Sequence, residues 1–191
     1  MRNLFEQVPL TRSLVTMPMI AGLVKDVLGP DAFAVRAILF DKIKGGNWHV
    51  GWHQDQAIAI KERLDAPGFG PTSIKEGVPH TRASAEVLEQ MLAVRIHLDD
   101  CGLNNGPLRC SPDSFRYGRL DPDETLEIKE MLGEQVCLVP RGGVLLMRPL
   151  CLHASSPAKS PKHRRVIHIE FANCELPDPL DWYERQPIRP G

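Results

Sequence analysis

Trp48-His49-Val50-Gly51-Trp52-His53-Gln54-Asp55-Gln56 sets His53 and Asp55 two residues apart. On a β-strand, residues i and i+2 project from the same face. His49, Gly51, His53, Asp55 and Ala57 then share one face, and Trp52, Gln54 and Ile58 the other. An imidazole beside a carboxylate is two thirds of a two-His-one-carboxylate iron site, a set that leaves metal positions open for other ligands. The third ligand has to come from elsewhere in the chain.

The pair alone is weak. With 7 His and 24 Asp plus Glu in 191 residues, chance supplies about one His-x-acid match. Three occur: His53-Gln54-Asp55, His97-Leu98-Asp99 and His168-Ile169-Glu170. No His follows the third. The first two both have His153 downstream. His97 and Asp99 close an alternating run, Met91 to Asp99, that ends in the turn-like Asp99-Asp100-Cys101-Gly102. That run reads as a strand end with a polar face.

Composition narrows the function classes. A net charge of −1 offers no basic field for nucleic acid and no polybasic patch for a membrane surface. The apolar run Met17 to Val24 is too short to span a bilayer. Five cysteines with no C-x-x-C spacing argue against a disulfide scaffold or zinc finger and point to reduced thiols in the cytoplasm. Cys137 and Cys151 read as small apolar strand residues.

The length suits a single domain, 1–191. Pro18 opens, and Gly29-Pro30 closes, a helix over 18–28 with an apolar stripe at Ile20, Leu23, Val24, Val27 and Leu28. Phe33 to Asp41 alternates as a strand, with Arg36 either buried against an anion or facing solvent. Residues 61–82 are charged and rich in Gly and Pro, and read as a long loop, either a lid or a surface excursion. Asp121 to Leu132 reads as a helix with acidic residues in its first turn. Gln135–Val139, Gly143–Met147, Leu150–His153 and Arg164–Phe171 read as strands, with Trp182 of the 173–191 tail packed on the core. Many short strands, 17 Pro and 15 Gly predict an all-β core over about 33–172, a jelly roll with a few flanking helices.

His153 follows Asp55 by 98 residues, and Arg164 follows His153 by eleven. A dicarboxylate cosubstrate held at one end by a metal needs a fixed cation at the other, which Arg supplies best. Periodicity does not choose between Arg164 and Arg165.

Trp52-His53-Gln54-Asp55, Asn105-Gly106-Pro107-Leu108-Arg109, His153-Ala154-Ser155-Ser156-Pro157 and Arg164-Arg165-Val166-Ile167-His168-Ile169-Glu170-Phe171, in that order, resemble the phytanoyl-CoA dioxygenase family. The likeness runs from about residue 30 to 172. It implies a double-stranded β-helix, cupin-like in shape, and Fe(II)- and 2-oxoglutarate-dependent hydroxylation of a small organic or lipid-like substrate by O2, with release of succinate and CO2. It implies iron held by His53, Asp55 and His153. It places Arg164 on the distal carboxylate of 2-oxoglutarate, with Ser155 and Arg36 as further contacts. The family writes Pro-Gly-Ser-His where this chain has Pro112-Asp113-Ser114-Phe115, a departure that bears on the local loop. Two other readings differ in class: a cupin-like metal-binding protein without 2-oxoglutarate chemistry, and a family member that binds metal and cosubstrate without turnover.

Overall fold

The computed structural model describes residues 1–159 and 162–189. The chain falls into two compact units. One comprises residues 1–38, 56–94 and 169–191, and the other 39–55 and 95–168.

The first unit opens with helix α1 (Leu4–Gln7), a 3-10 turn (Pro9–Leu14) and helix α2 (Pro18–Leu28). α2 has the bounds expected from Pro18 and Gly29. It buries Ile20, Val24 and Leu28 and leaves Val27 more than a third exposed. Strand β1 (Phe33–Asp41) begins here, as its alternation predicts. β3 (Ala57–Ala59), β4 (Ser73–Lys75) and β5 (Val78–Arg82) form an antiparallel sheet in the order β3-β5-β4. Two of these strands lie where the sequence suggested one long loop, 61–82. Glu76 and Gly77, both at positive φ (48° and 83°), close a two-residue hairpin between Lys75 and Val78. That backbone matches the twist of the flanking strands. Glu-Gly is not the usual Asn-Gly signal, and Pro79 inside β5 hid the strand.

Helix α3 (Ala85–Glu89) follows, and then the start of strand β6 (Met91–His97). The tail adds a strand that the sequence did not reveal: β12 (Gln186–Pro187) pairs antiparallel with β1, Phe33 opposite Pro187. Trp182 is buried and meets Phe33 edge to face at 6.4 Å. Arg36 is buried rather than solvent-facing, its Nε donating to Glu170 at 2.8 Å and its Nη2 to the other carboxylate oxygen. This paired fork is what a guanidinium on an apolar strand requires.

The second unit carries a four-stranded antiparallel sheet ordered β2-β10-β7-β8. Its strands are β2 (Val50–His53), β10 (His153–Ser155), β7 (Leu108–Cys110) and β8 (Gln135–Cys137). Helix α4 (Pro122–Leu132) has Asp121 as its cap. Asp121 accepts from the Asp123 and Glu124 N–H groups, while Glu124 returns the bond to the Asp121 N–H. This reciprocal capping box satisfies first-turn donors. Strand β9 (Val144–Met147) and strand β11 (Arg165–Ala172) complete the set. β1, β6 and β11 belong to a five-stranded sheet ordered β12-β1-β11-β6-β9. β6 departs from the expected polar face: Arg95 and His97 are 6% and 3% exposed.

Candidate metal centre

β2 ends on His53 and β10 begins on His153, and the antiparallel register makes them direct partners. Direct partners on one face are close neighbours, and the two rings lie 4.2 Å apart. Asp55 lies two residues past His53, held by its backbone N–H donating to Pro149 O at 2.9 Å. Between them, Gln54 turns the other way and is buried. Its amide donates to Gly118 O (2.7 Å) and Leu150 O (2.8 Å), and its carbonyl accepts from the Leu120 N–H (2.9 Å). The alternation read from the sequence thus puts two side chains at the centre and one into the scaffold behind it.

Both imidazoles are oriented the same way. His53 Nδ1 lies 2.9 Å from Gly51 O, and His153 Nδ1 2.9 Å from Cys151 O. A carbonyl partner places the proton on Nδ1 and leaves the Nε2 lone pair free. Those Nε2 atoms face Asp55, at 3.7 Å from Oδ1 for His53 and 3.5 Å from Oδ2 for His153. One ligand atom from each residue lies within 4.8 Å of the others. At metal–ligand bonds of roughly 2.0–2.2 Å, separations of this size let all three reach one ion. Donor set, orientation and spacing fit a divalent metal such as Fe(II).

The electrostatics agree with ligand protonation states. Burial opposes the charge on Asp55, but attraction to His153 and His53 in their protonated forms outweighs it and holds the carboxyl far below its usual range. Burial pushes His153 down to about 4, so it is a neutral imidazole near pH 7. His53 is raised: burial lowers it, but the neighbouring Asp55 carboxylate, which favours the protonated ring, wins. Exposure is uneven. The side chains of His53 and Asp55 are 38% and 33% exposed and that of His153 only 6%, so the centre opens on the His53–Asp55 side.

The other two His-x-acid pairs are engaged elsewhere. Asp99 accepts from Arg165 Nη2 at 2.7 Å and Nε at 2.9 Å, on the surface. His97 is buried, and neither ring nitrogen has a hydrogen-bond partner among the described residues. Glu170 takes Arg36, while His168 Nδ1 lies 3.0 Å from Arg95 Nη1. The Arg165–Asp99 pair also answers which arginine turns inward: Arg164 is 3% exposed.

Arg164 meets a residue that the sequence reading passed over. Lys42, directly after β1, is fully buried. Its Nζ donates to Ser155 Oγ at 2.9 Å and to Ser156 O. Arg164 Nη1 donates to Gly106 O and lies 3.5 Å from the same Ser155 Oγ, which itself donates to Gly106 O at 3.1 Å. Arg164 Nε is buried without a partner among the described residues. Two buried cations thus share neutral acceptors. Burial, then the charge of Arg164, lowers Lys42 to about 8, and burial lowers Arg164 as well. A buried cation is costly unless an anion joins it. The one signal in the sequence was a lysine closing a strand, which otherwise reads as a solvated end.

Gly106 permits this arrangement. It sits at φ +60°, and a Cβ there would come within 2.5 Å of Ser156 O and 3.3 Å of Lys42 Nζ. The Pro112–Phe115 departure is accommodated. Asp113 adopts φ 60° where the family writes Gly, a conformation that Asp tolerates better than most residues. Ser114 stays buried and bonds Ser111 O (2.6 Å) and the Leu152 N–H (2.8 Å). Phe115 packs against Leu108, Met147 and Cys151.

The fold agrees with known structures. ThoJ, a non-heme monooxygenase, matches all of this chain and 65% of its own at TM-score 0.66 and 17% identity. EctD from S. alaskensis, solved also with bound Fe, matches over 94% of this chain and 59% of its own in the apo form, at TM-score 0.69 and 17% identity. SnoK, a non-heme alpha ketoglutarate dependent carbocyclase from nogalamycin biosynthesis, matches over 92% and 63% at TM-score 0.67 and 15% identity. The chain spans about three fifths to two thirds of these proteins' length. These likenesses establish the cupin-like jelly roll, the double-stranded β-helix expected above. No curated protein matches in sequence. The model of the phytanoyl-CoA dioxygenase family matches residues 2–166, and the chain belongs to that family.

Proposed function

We propose that this chain is an Fe(II)- and 2-oxoglutarate-dependent dioxygenase that hydroxylates a small organic or lipid-like substrate, acting as one catalytic domain over 1–191. The observation that carries the reading is the pairing of a His53–Asp55–His153 cluster with two buried cations, Lys42 and Arg164, whose side chains meet neutral acceptors and no carboxylate among the described residues. The link between them is strand β10. His153 and Ser155 are its first and third residues, so they are separated by roughly 7 Å along the strand. That is about the reach of a five-carbon dicarboxylate chelated at one end and ion-paired at the other.

In this reading His53, Asp55 and His153 hold the iron. The carbonyls of Gly51 and Cys151 keep both rings aimed at it. Arg164 and Lys42 take the distal carboxylate of 2-oxoglutarate, with the Ser155 hydroxyl between them. Arg36 already pairs with Glu170, and the reading does not require it. When bound, Fe(II) and 2-oxoglutarate supply the oxidising power that places one oxygen atom from O2 in a substrate C–H bond, with succinate and CO2 released. The part-exposed edge of His53 and Asp55 gives the substrate its approach, and buried His153 and Arg164 shield the cosubstrate from water. We place the reaction in the cytoplasm, in keeping with five free thiols. No helix among the described residues is long and apolar enough to cross a membrane.

Calorimetry of 2-oxoglutarate binding to anaerobic, metal-loaded protein tests the proposal. Saturable binding that needs both metal and Lys42 is expected. Equal binding by the parent and Lys42→Met proteins would contradict the assignment of the anchor.

A further inference from the structure

Three cysteines gather beside the strand that carries His153. Leu108 pairs with Cys137 and Cys110 with Gln135 across β7 and β8. Cys110 and Cys137 are therefore diagonal neighbours on one face of the sheet. Their Sγ atoms lie 3.7 Å apart, and both residues are half-buried. The pair packs against Leu108, Met147 and Cys151. Cys151 is more enclosed, and its Sγ is engaged by Ser114 Oγ at 3.8 Å and Ser111 O at 3.6 Å. Cys110 is also the direct register partner of His153, so the thiol pair adjoins the candidate metal centre.

We propose that Cys110 and Cys137 form an oxidative modification site at which a hydroperoxide joins the two thiols as a disulfide. The chemistry balances. One sulfur attacks a peroxide oxygen, the O–O bond breaks, and the leaving oxygen departs protonated as water, or as an alcohol from an alkyl peroxide. The second sulfur then attacks the resulting sulfenic acid. An S–S bond forms, the S–O bond breaks and a further water leaves. The two thiols lose two electrons, and the peroxide gains them.

The geometry favours this pair. A disulfide needs the sulfurs at roughly 2.05 Å, and a partner thiol in contact captures a sulfenic acid before it is oxidised further. β8 is the outer strand of its sheet, so it can close on β7 without displacing β10. The bond would fasten that edge to the strand paired with His153. Cys101 is 2% exposed, and its buried position withholds it from solvent.

The test uses the full chain stripped of metal, so its outcome is separable from the iron assignment. Protein is treated with hydrogen peroxide, remaining thiols are alkylated, and digests are read by mass spectrometry. The expected product has lost two hydrogens reversibly to dithiothreitol and yields one cross-linked peptide pair holding Cys110 and Cys137. Cys151→Ser protein should give the same link, and Cys137→Ser protein should not. A link through Cys151, sulfinic acid at Cys110 without a link, or five thiols still open to alkylation would each overturn the proposal. The parent map decides the matter even if a variant fails to fold.

Discussion

His53 and His153 are register partners across β2 and β10, and each ring is fixed by the carbonyl two residues behind it, Gly51 O or Cys151 O. Preorganised neutral rings bind metal without rearrangement, but only while they stay neutral. Of the two, His53 protonates first, because its pKa is raised while that of His153 falls to about 4. Metal affinity should hold at pH values above the raised His53 value. It should fall by about tenfold per pH unit once acidification passes the raised His53 value. In metal-free protein the sign reverses. Protonated His53 adds stability that is present below its unfolded value and is lost as pH rises through its folded one. Metal titrations across pH 5 to 8 would show the first trend and urea unfolding the second.

Lys42 carries opposite consequences for stability and binding. Its pKa, lowered from 10.5 to about 8, means that the unliganded fold resists its charge. That cost is present below pH 8 and is relieved as pH rises from about 8 towards 10.5. Lys42→Met should raise the stability of unliganded protein at pH 7 by about 1 kcal/mol. The same change should weaken 2-oxoglutarate binding by roughly tenfold or more. In the parent, binding should weaken above pH 8 and take up a proton there. Paired denaturation and calorimetry measure both effects.

Gly106→Ala should cost about 2 kcal/mol or more, because the new Cβ meets Ser156 O and an alanine is forced to φ +60°. It also displaces the carbonyl that accepts from Arg164 and Ser155. Cosubstrate affinity should therefore drop beyond any loss of folded protein. Alanine at Gly102, where a Cβ meets nothing within 4 Å, is the control and should leave both unchanged.

Gln54→Ala removes three hydrogen bonds, one buried and two part-buried, that tie the 118–120 segment and Leu150 together. A loss of about 3 kcal/mol is expected, visible as a lower unfolding midpoint. Metal affinity should fall with it, because Leu150 belongs to the segment leading into His153. A stable variant with undiminished affinity would show that Gln54 is not a support for the centre.

Much of this was legible in the sequence where the signal is local. β1 starts and ends where alternation and turn residues say, and α2 runs from Pro18 to the Gly29 cap. The three-way choice among His-x-acid pairs was not local. It depends on which carboxylates are already committed: Asp99 to Arg165 and Glu170 to Arg36. Arg164 and Arg165 are indistinguishable by period, and only the surface acceptor Asp99 separates them. Lys42 was missed because its burial follows from contacts over a hundred residues away, at Ser155 and Ser156. The 73–82 hairpin was missed because its turn uses Glu76 rather than Asn, and β12 because a two-residue strand has no period to read.

The most direct measurement is an anaerobic titration of Fe(II)-loaded protein with 2-oxoglutarate, following the weak visible charge-transfer band of the chelate, with Arg164→Ala beside it. The band should appear in the parent and be weakened in the variant at equal metal loading. A metal-replete parent protein that shows no band, or a variant whose titration superimposes on the parent's, would contradict the 2-oxoglutarate reading.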